Sequence, residues 1–229
     1  MSDTKLDQYK KQISDAAENL MSSRILGNSS HGNISAKIPG TDTFLLTSVS
    51  NLKQITMDNI GLFDMDNNLL DGSVMPTSAE IIPMHGIVYK TRPEAGGAVH
   101  THAPRATAFA VAGMPIPASY EPMVRFGMGN GVPVTEYGPR GSQESVDLIE
   151  HAIDGKGQIR GLLLGNHGLL TFGVDVPDAV DAHKIIEECA EVILATYTLG
   201  GPKEIPAAQR LAAQAIQQTF AAVGEQTRT

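Results

Sequence analysis

The chain has 229 residues, a mass of 24.3 kDa and 41% hydrophobic residues, enough to furnish a real core. Its formal net charge of -8, a pI near 5.3 and the lack of any lysine- and arginine-rich stretch argue against a protein that clamps nucleic acid phosphates. No run approaches membrane-spanning length, the first residues lack a signal-type apolar segment, and the lone Cys189 can close no intramolecular disulfide, so a cytoplasmic protein without a membrane partner is expected.

Leu6, Tyr9, Ile13, Ala16, Ala17, Leu20 and Met21 recur near helical spacing and predict an amphipathic helix over residues 4–25, stopped by Gly27. A polar loop at 28–35 leads into short strands at 34–38 and 43–47. Another strand at 61–64 runs into the turn Asp66-Asn67-Asn68 and returns through Leu69 and Leu70. A helix is predicted over 81–91, beginning near Glu80, with Pro83 in its first turn. There follow a strand at 97–102, a helix at 104–112, a short strand at 134–137 and a turn at 138–141. Ser142 can cap a helix over 143–153, with Glu144 in its first turn. An apolar hairpin at 161–164 and 168–172 surrounds Asn166 and His167. A long helix at 176–199, in which Cys189 reads as buried, and an Ala- and Gln-rich terminal helix over 207–223 complete the chain. Strands and helices alternate irregularly, so the expected fold is α/β, a central and largely antiparallel sheet flanked by helices. One domain over 1–229 is expected, its core at about 10–200 and a helical tail at 203–229.

The chemistry concentrates in histidine. His100-Thr101-His102 follows the apolar run 96–99, and side chains two apart on a strand point to the same face, so both imidazoles can reach one ion. His167, in the hairpin turn, can complete the set. Any one of these alone is ordinarily a satisfied core or surface group; together they form a three-imidazole site that suits zinc, with manganese, cobalt or ferrous iron also possible. Three protein ligands leave positions open for water or substrate, which points to catalysis. No Cys-x-x-Cys, His-Glu-x-x-His or EF-hand pattern competes, and His31, His85, His151 and His183 read as structural.

Seven pieces in chain order resemble the class II aldolase/adducin family, which includes fuculose-1-phosphate aldolases and ribulose-5-phosphate 4-epimerase. They are Gly32-Asn33-Ile34-Ser35, Leu46-Thr47-Ser48, Pro76-Thr77-Ser78-Ala79-Glu80, Tyr89 through Arg92-Pro93, Ala98-Val99-His100-Thr101-His102, Tyr137-Gly138 with Gly141-Ser142, and Asn166-His167-Gly168. The resemblance implies an α/β/α sandwich and a C4 homotetramer with sites between subunits. It implies a divalent ion on His100, His102 and His167, with Glu80 as acid/base. It further implies an anion pocket from Gly32, Asn33, Thr47, Ser48 and Ser78, and gives Tyr120 two readings, a proton donor to the neighbouring subunit or part of an interface turn at Tyr120-Glu121-Pro122-Met123.

Two departures from the family pattern bear on this. Relatives carry their acid four residues before the histidine equivalent to His85, whereas Glu80 lies five before it; a local bulge is expected to return Glu80, not Ile81, to the pocket. The anion turn reads Thr47-Ser48-Val49-Ser50 without the family's glycine, and Ala79 replaces a second serine. Arg125 is a further candidate for a substrate anion. The expected activity is a metal-dependent carbon-carbon lyase cleaving a ketose or ketose phosphate by retro-aldol chemistry through a metal-stabilised enediolate. Decarboxylation of a hydroxy or keto acid, sugar-phosphate dehydration, 4-epimerisation and a non-catalytic interaction module are the alternatives.

Overall fold

The computed structural model describes residues 3–157 and 159–226, with side chains given for these except residues 3, 4, 77 and 217–226. The extreme ends of the expected 1–229 domain and the side chain of Thr77 in the 76–80 motif lie outside the described residues.

Seven strands form one sheet: β1 Gly32–Lys37, β2 Thr43–Thr47, β3 Ile60–Asp64, β4 Leu69–Asp71, β5 Gly97–Thr101, β6 Gly161–Leu164 and β7 Gly168–Gly173. Their order is β4-β3-β2-β1-β5-β7-β6 and every ladder is antiparallel. Among the described residues, seven α-helices accompany them: α1 Asp3–Ser22, α2 Ile82–Thr91, α3 Pro104–Ala112, α4 Glu121–Arg125, α5 Gln143–Ile153, α6 Val176–Thr196 and α7 Ala207–Gln226.

Alternation along the strands sorts the apolar side chains between layers. Leu46, Ala98, Leu162, Leu164, Leu170 and Phe172 face a cluster that includes Ile82 and Val88 of α2 and Ile149 and Ile153 of α5. Their neighbours Ile34, Ala36, Leu45 and Val99 face Ile13 and Leu20 of α1 and Val176 and Val180 of α6. Leu163 and Leu169 pack with Phe109 of α3, Met123 of α4 and Ile186 of α6. The result is helices on both faces of an antiparallel sheet, in which each buried Leu, Ile or Phe contributes about 1.5–3 kcal/mol.

Local chemistry sets the helix starts. The Ser142 side chain accepts from Ser145 N at 3.1 Å ahead of α5, and Asp175 accepts from Asp178 N at 2.8 Å ahead of α6. Several expected boundaries move: the strand expected at 34–38 begins at Gly32, inside the expected polar loop, and ends at Lys37. The first helix ends at Ser22, because Arg24 already has a left-handed φ of 60°. The strand expected at 97–102 stops at Thr101, since Pro104 opens α3. The long helix is α-helical to Thr196 and finishes as a 3-10 turn, Tyr197–Leu199. The strand expected at 134–137 is only a bridge: Val134 pairs parallel to Leu163, with Leu163 N donating to Pro133 O and Thr135 N to Leu163 O. Pro133 has no N–H for a ladder, and Thr135 instead turns its hydroxyl to Glu136 O and accepts from Gly165 N at 3.1 Å. No helix among the described residues is long and apolar enough to cross a membrane.

Candidate metal centre

His100 is the penultimate residue of the fully buried strand β5, His102 lies just past the strand, and His167 sits in the turn between β6 and β7. Antiparallel pairing of β5 with β7 sets Thr101 opposite Leu169, which brings that turn to the end of β5 where the other two histidines stand. Asn166 takes a left-handed φ of 55°, a conformation asparagine tolerates, and His167 N closes the turn on Leu164 O. Glycine is required next to it: a Cβ on Gly168 would lie 2.6 Å from Thr101 O and 3.0 Å from the His102 ring. The three rings meet with centroids 4.8–5.3 Å apart, and one ligand-capable nitrogen from each lies within 4.8 Å of the others.

The nitrogens are prepared for an ion. His100 Nδ1 lies 2.9 Å from Leu169 O, so it donates there and leaves Nε2 as a lone-pair donor. His102 Nε2 is buried without a hydrogen-bond partner, a costly position unless something else binds it. Burial, and then the neighbouring imidazoles, hold His100 well below the usual histidine range. His102 falls to about 4 through burial, with His167, His31 and Arg140 adding to it, and His167 is lowered by burial and Arg140. All three are therefore neutral near pH 7, the form that ligates a divalent ion. A neutral imidazole set of this kind fits a divalent metal such as zinc.

Beside the triad lies a second charged pair. Residues Pro76–Ile81 form a 3-10 segment that runs directly into α2, and Glu80 Oε1 meets Arg140 Nε at 2.8 Å. Ile81 is buried in the apolar cluster beneath α2, whereas Glu80 is partly exposed and close enough to His167 for its charge to oppose the lowering of that imidazole. His31 stacks on His102, with ring centroids 4.8 Å apart and planes 28° from parallel.

One strand away is a cradle of polar groups. Asn33 is paired with His100 across β1 and β5, so their side chains share a sheet face. Asn33 Nδ2 and Ser48 Oγ are buried without partners. Thr47 Oγ1 accepts from Ile34 N at 3.3 Å, and the Ser50 and Ser78 hydroxyls meet at 3.2 Å. Gly32 donates its N–H to Ser50 O at 2.9 Å, and a Cβ there would lie 2.8 Å from His100 O, so only glycine permits this approach of β1 to β5.

Residues 12–194 match the family model for the class II aldolase and adducin N-terminal domain. The chain belongs to the class II aldolase and adducin family. It is 31% identical to a 5-deoxy-D-ribulose 1-phosphate aldolase of Bacillus thuringiensis serovar kurstaki over 150 residues, which cover 65% of this chain and 67% of the relative. It is 27% identical to a 3-oxo-tetronate 4-phosphate decarboxylase of Haemophilus influenzae over 176 residues, 75% of this chain and 79% of the relative. A solved L-fuculose 1-phosphate aldolase shares the fold with a TM-score of 0.83 and 24% identity, over 92% of this chain and 96% of that one.

The fold of this class II aldolase family member brings together His100, His102, His167 and Glu80, and sets Asn33 beside His100. Tyr120 precedes α4 and its ring packs against the third apolar cluster; nothing among the described contacts carries it to the histidines. Arg125 lines a groove between α4 and α7, with Ile205, Gln209 and Ile216. Arg140 and His31 were not among the residues nominated from sequence. Arg140 stands in the turn between Gly138 and Ser142, where a lone arginine carries no signal, and His31 has no histidine at metal-binding spacing.

Proposed function

We propose that this chain is a metal-dependent lyase that cleaves the bond between the α- and β-carbons of a small, anionic hydroxy-carbonyl substrate, a ketose phosphate split by retro-aldol chemistry. The observation that carries this reading is the convergence of three neutral imidazoles, one of them with an unpartnered buried nitrogen, next to a carboxylate and one strand from unpartnered polar groups. His100, His102 and His167 would hold the ion, which when bound supplies Lewis-acid polarisation of the substrate carbonyl. Asn33, Ser48, Ser78, Thr47 and the backbone at Gly32 receive the substrate's anionic end and fix its distance from the triad. Glu80 accepts the proton from the substrate hydroxyl as the carbon-carbon bond breaks and hands a proton on. Arg140 orients that carboxylate until substrate arrives. Tyr120 serves a neighbouring copy's site in a C4 homotetramer.

A second reading, decarboxylation of a phosphorylated keto or hydroxy acid, is favoured by Arg140: a guanidinium beside the triad is suited to a substrate carboxylate. The likeness to the Haemophilus decarboxylase supports it as well. A panel of ketose 1-phosphates and phosphorylated keto acids, assayed with product mass after chelation and reloading with zinc, manganese, cobalt or ferrous iron, separates the two. Cleavage without loss of carbon dioxide supports the aldolase; activity that survives complete metal removal overturns both. Glu80→Gln should keep its metal yet lose about 10²–10⁴ in kcat. Full activity in that variant would remove Glu80 from the chemistry.

A further inference from the structure

Beneath the proposed anion pocket runs a buried string of side chains that the reaction itself does not use. The Tyr89 hydroxyl lies 2.6 Å from Ser35 Oγ, Ser35 Oγ lies 2.6 Å from His85 Nδ1, and His85 Nε2 lies 2.6 Å from Asn33 Oδ1. All four residues are buried, and the string joins α2 to β1. It ends at Asn33 Nδ2, which has no partner. Register places this end at the pocket: Ser35 pairs with Leu46, so Asn33 falls opposite Ser48 when the ladder is carried on, while His100 flanks Asn33 on the other side.

The direction of the string follows from its members. Burial raises the Tyr89 phenol above its usual value, so it keeps its proton, and the Ser35 hydroxyl lies 2.6 Å from its oxygen. A buried phenolic proton left undonated is costly, so it goes to Ser35. Ser35 then spends its own proton on His85 Nδ1. Burial lowers His85 to about 3, so the imidazole is neutral and has one proton to give, from Nε2 to Asn33 Oδ1. Both protons of the Asn33 amide nitrogen are thereby turned away from the string.

We propose that Tyr89, Ser35 and His85 are positioning residues, a one-way hydrogen-bond chain that locks the Asn33 amide with its NH2 toward the pocket and so selects a ligand oxyanion that can only accept. The inference rests on the pocket assigned under the proposed function. Without the lock, the imidazole tautomer and the amide can invert together, which presents Asn33 Oδ1 to the ligand and repels an anion. An amide donor to a charged oxygen is worth about ten- to hundredfold in affinity.

The test uses the full-length protein labelled with 15N in histidine and asparagine side chains. In the wild type the His85 nitrogens should report a proton on Nε2 and none on Nδ1; a proton on Nδ1 reverses the string and overturns the proposal without recourse to any variant. Titration with inorganic phosphate, and separately with acetate, is then read on the Asn33 amide. Ser35→Ala should weaken the binding of whichever anion responds about ten- to hundredfold, and Ser35→Thr, which keeps the hydroxyl, should restore it. A wild-type protein that answers to neither anion brings down the pocket itself. A wild-type response that Ser35→Ala leaves unchanged brings down the string alone.

Discussion

At the scale of single residues, the chemistry depends on histidines kept neutral by burial. His183 shows the same principle outside the metal site. Thr171 gives its proton to a carbonyl, of Val99 or Ala179, and so accepts from His183 Nδ1, while Thr101 donates to His183 Nε2. The ring braces Thr101, the residue between His100 and His102, and burial lowers it to about 3. His85 is lowered equally. Above the ordinary value of 6.5 neither folded nor unfolded chain protonates these rings, and stability is complete. On acidification the unfolded chain takes up protons first, so each ring costs up to about 1.4 kcal/mol per pH unit on the way down toward 3. In chelated protein, urea unfolding should show a loss of about 2 kcal/mol per histidine between pH 6.5 and 5. A midpoint unmoved over that interval would contradict the burial of neutral rings.

At the scale of elements, joints between segments decide which side chains face the site. The 3-10 segment before α2 leaves Glu80 partly exposed beside Arg140 and sets Ile81 into the apolar cluster. The hairpin turn from Gly165 to Gly168 is held from outside by Thr135 and from within by the space that Gly168 leaves for the His102 ring. Gly168→Ala should therefore cost about 1–3 kcal/mol through overpacking and also displace His167 from the triad. Metal content measured on the folded variant checks the second effect: a full complement of metal would mean that the turn has room to spare.

At the scale of the molecule, the sheet order matters more than any one strand. β5 lies between β1 and β7, so the ligands on β5 and in the β6–β7 turn meet at one end, with Asn33 alongside. Two segments far apart in sequence, the end of β5 and the β6–β7 turn, must be folded together before the triad exists, so metal binding is coupled to folding. At a free-ion concentration about 100-fold above Kd the metal should stabilise the fold by about 2.7 kcal/mol, a shift of about 5–10 °C in Tm. Differential scanning calorimetry before and after chelation measures this. Tm values that coincide would argue against a specific ion at the triad.

What could be read from the sequence is what local patterns encode. The short apolar runs around Leu45 and Leu169, the cap at Ser142, and the His-x-His spacing on an apolar run each reflect forces acting within a few residues. The antiparallel sheet and the three histidines were legible for that reason, helped by the order of the family's motifs. Tertiary structure alone decided the rest. Arg140 reaches Glu80 because two loops converge, and His31 stacks on His102 because β1 is hydrogen-bonded to β5. The residues 134–137 bridge β6 at Val134 alone because β6 ends at Leu164, one residue past its partner Leu163. These are pairings between distant segments, and no local preference of the chain specifies them.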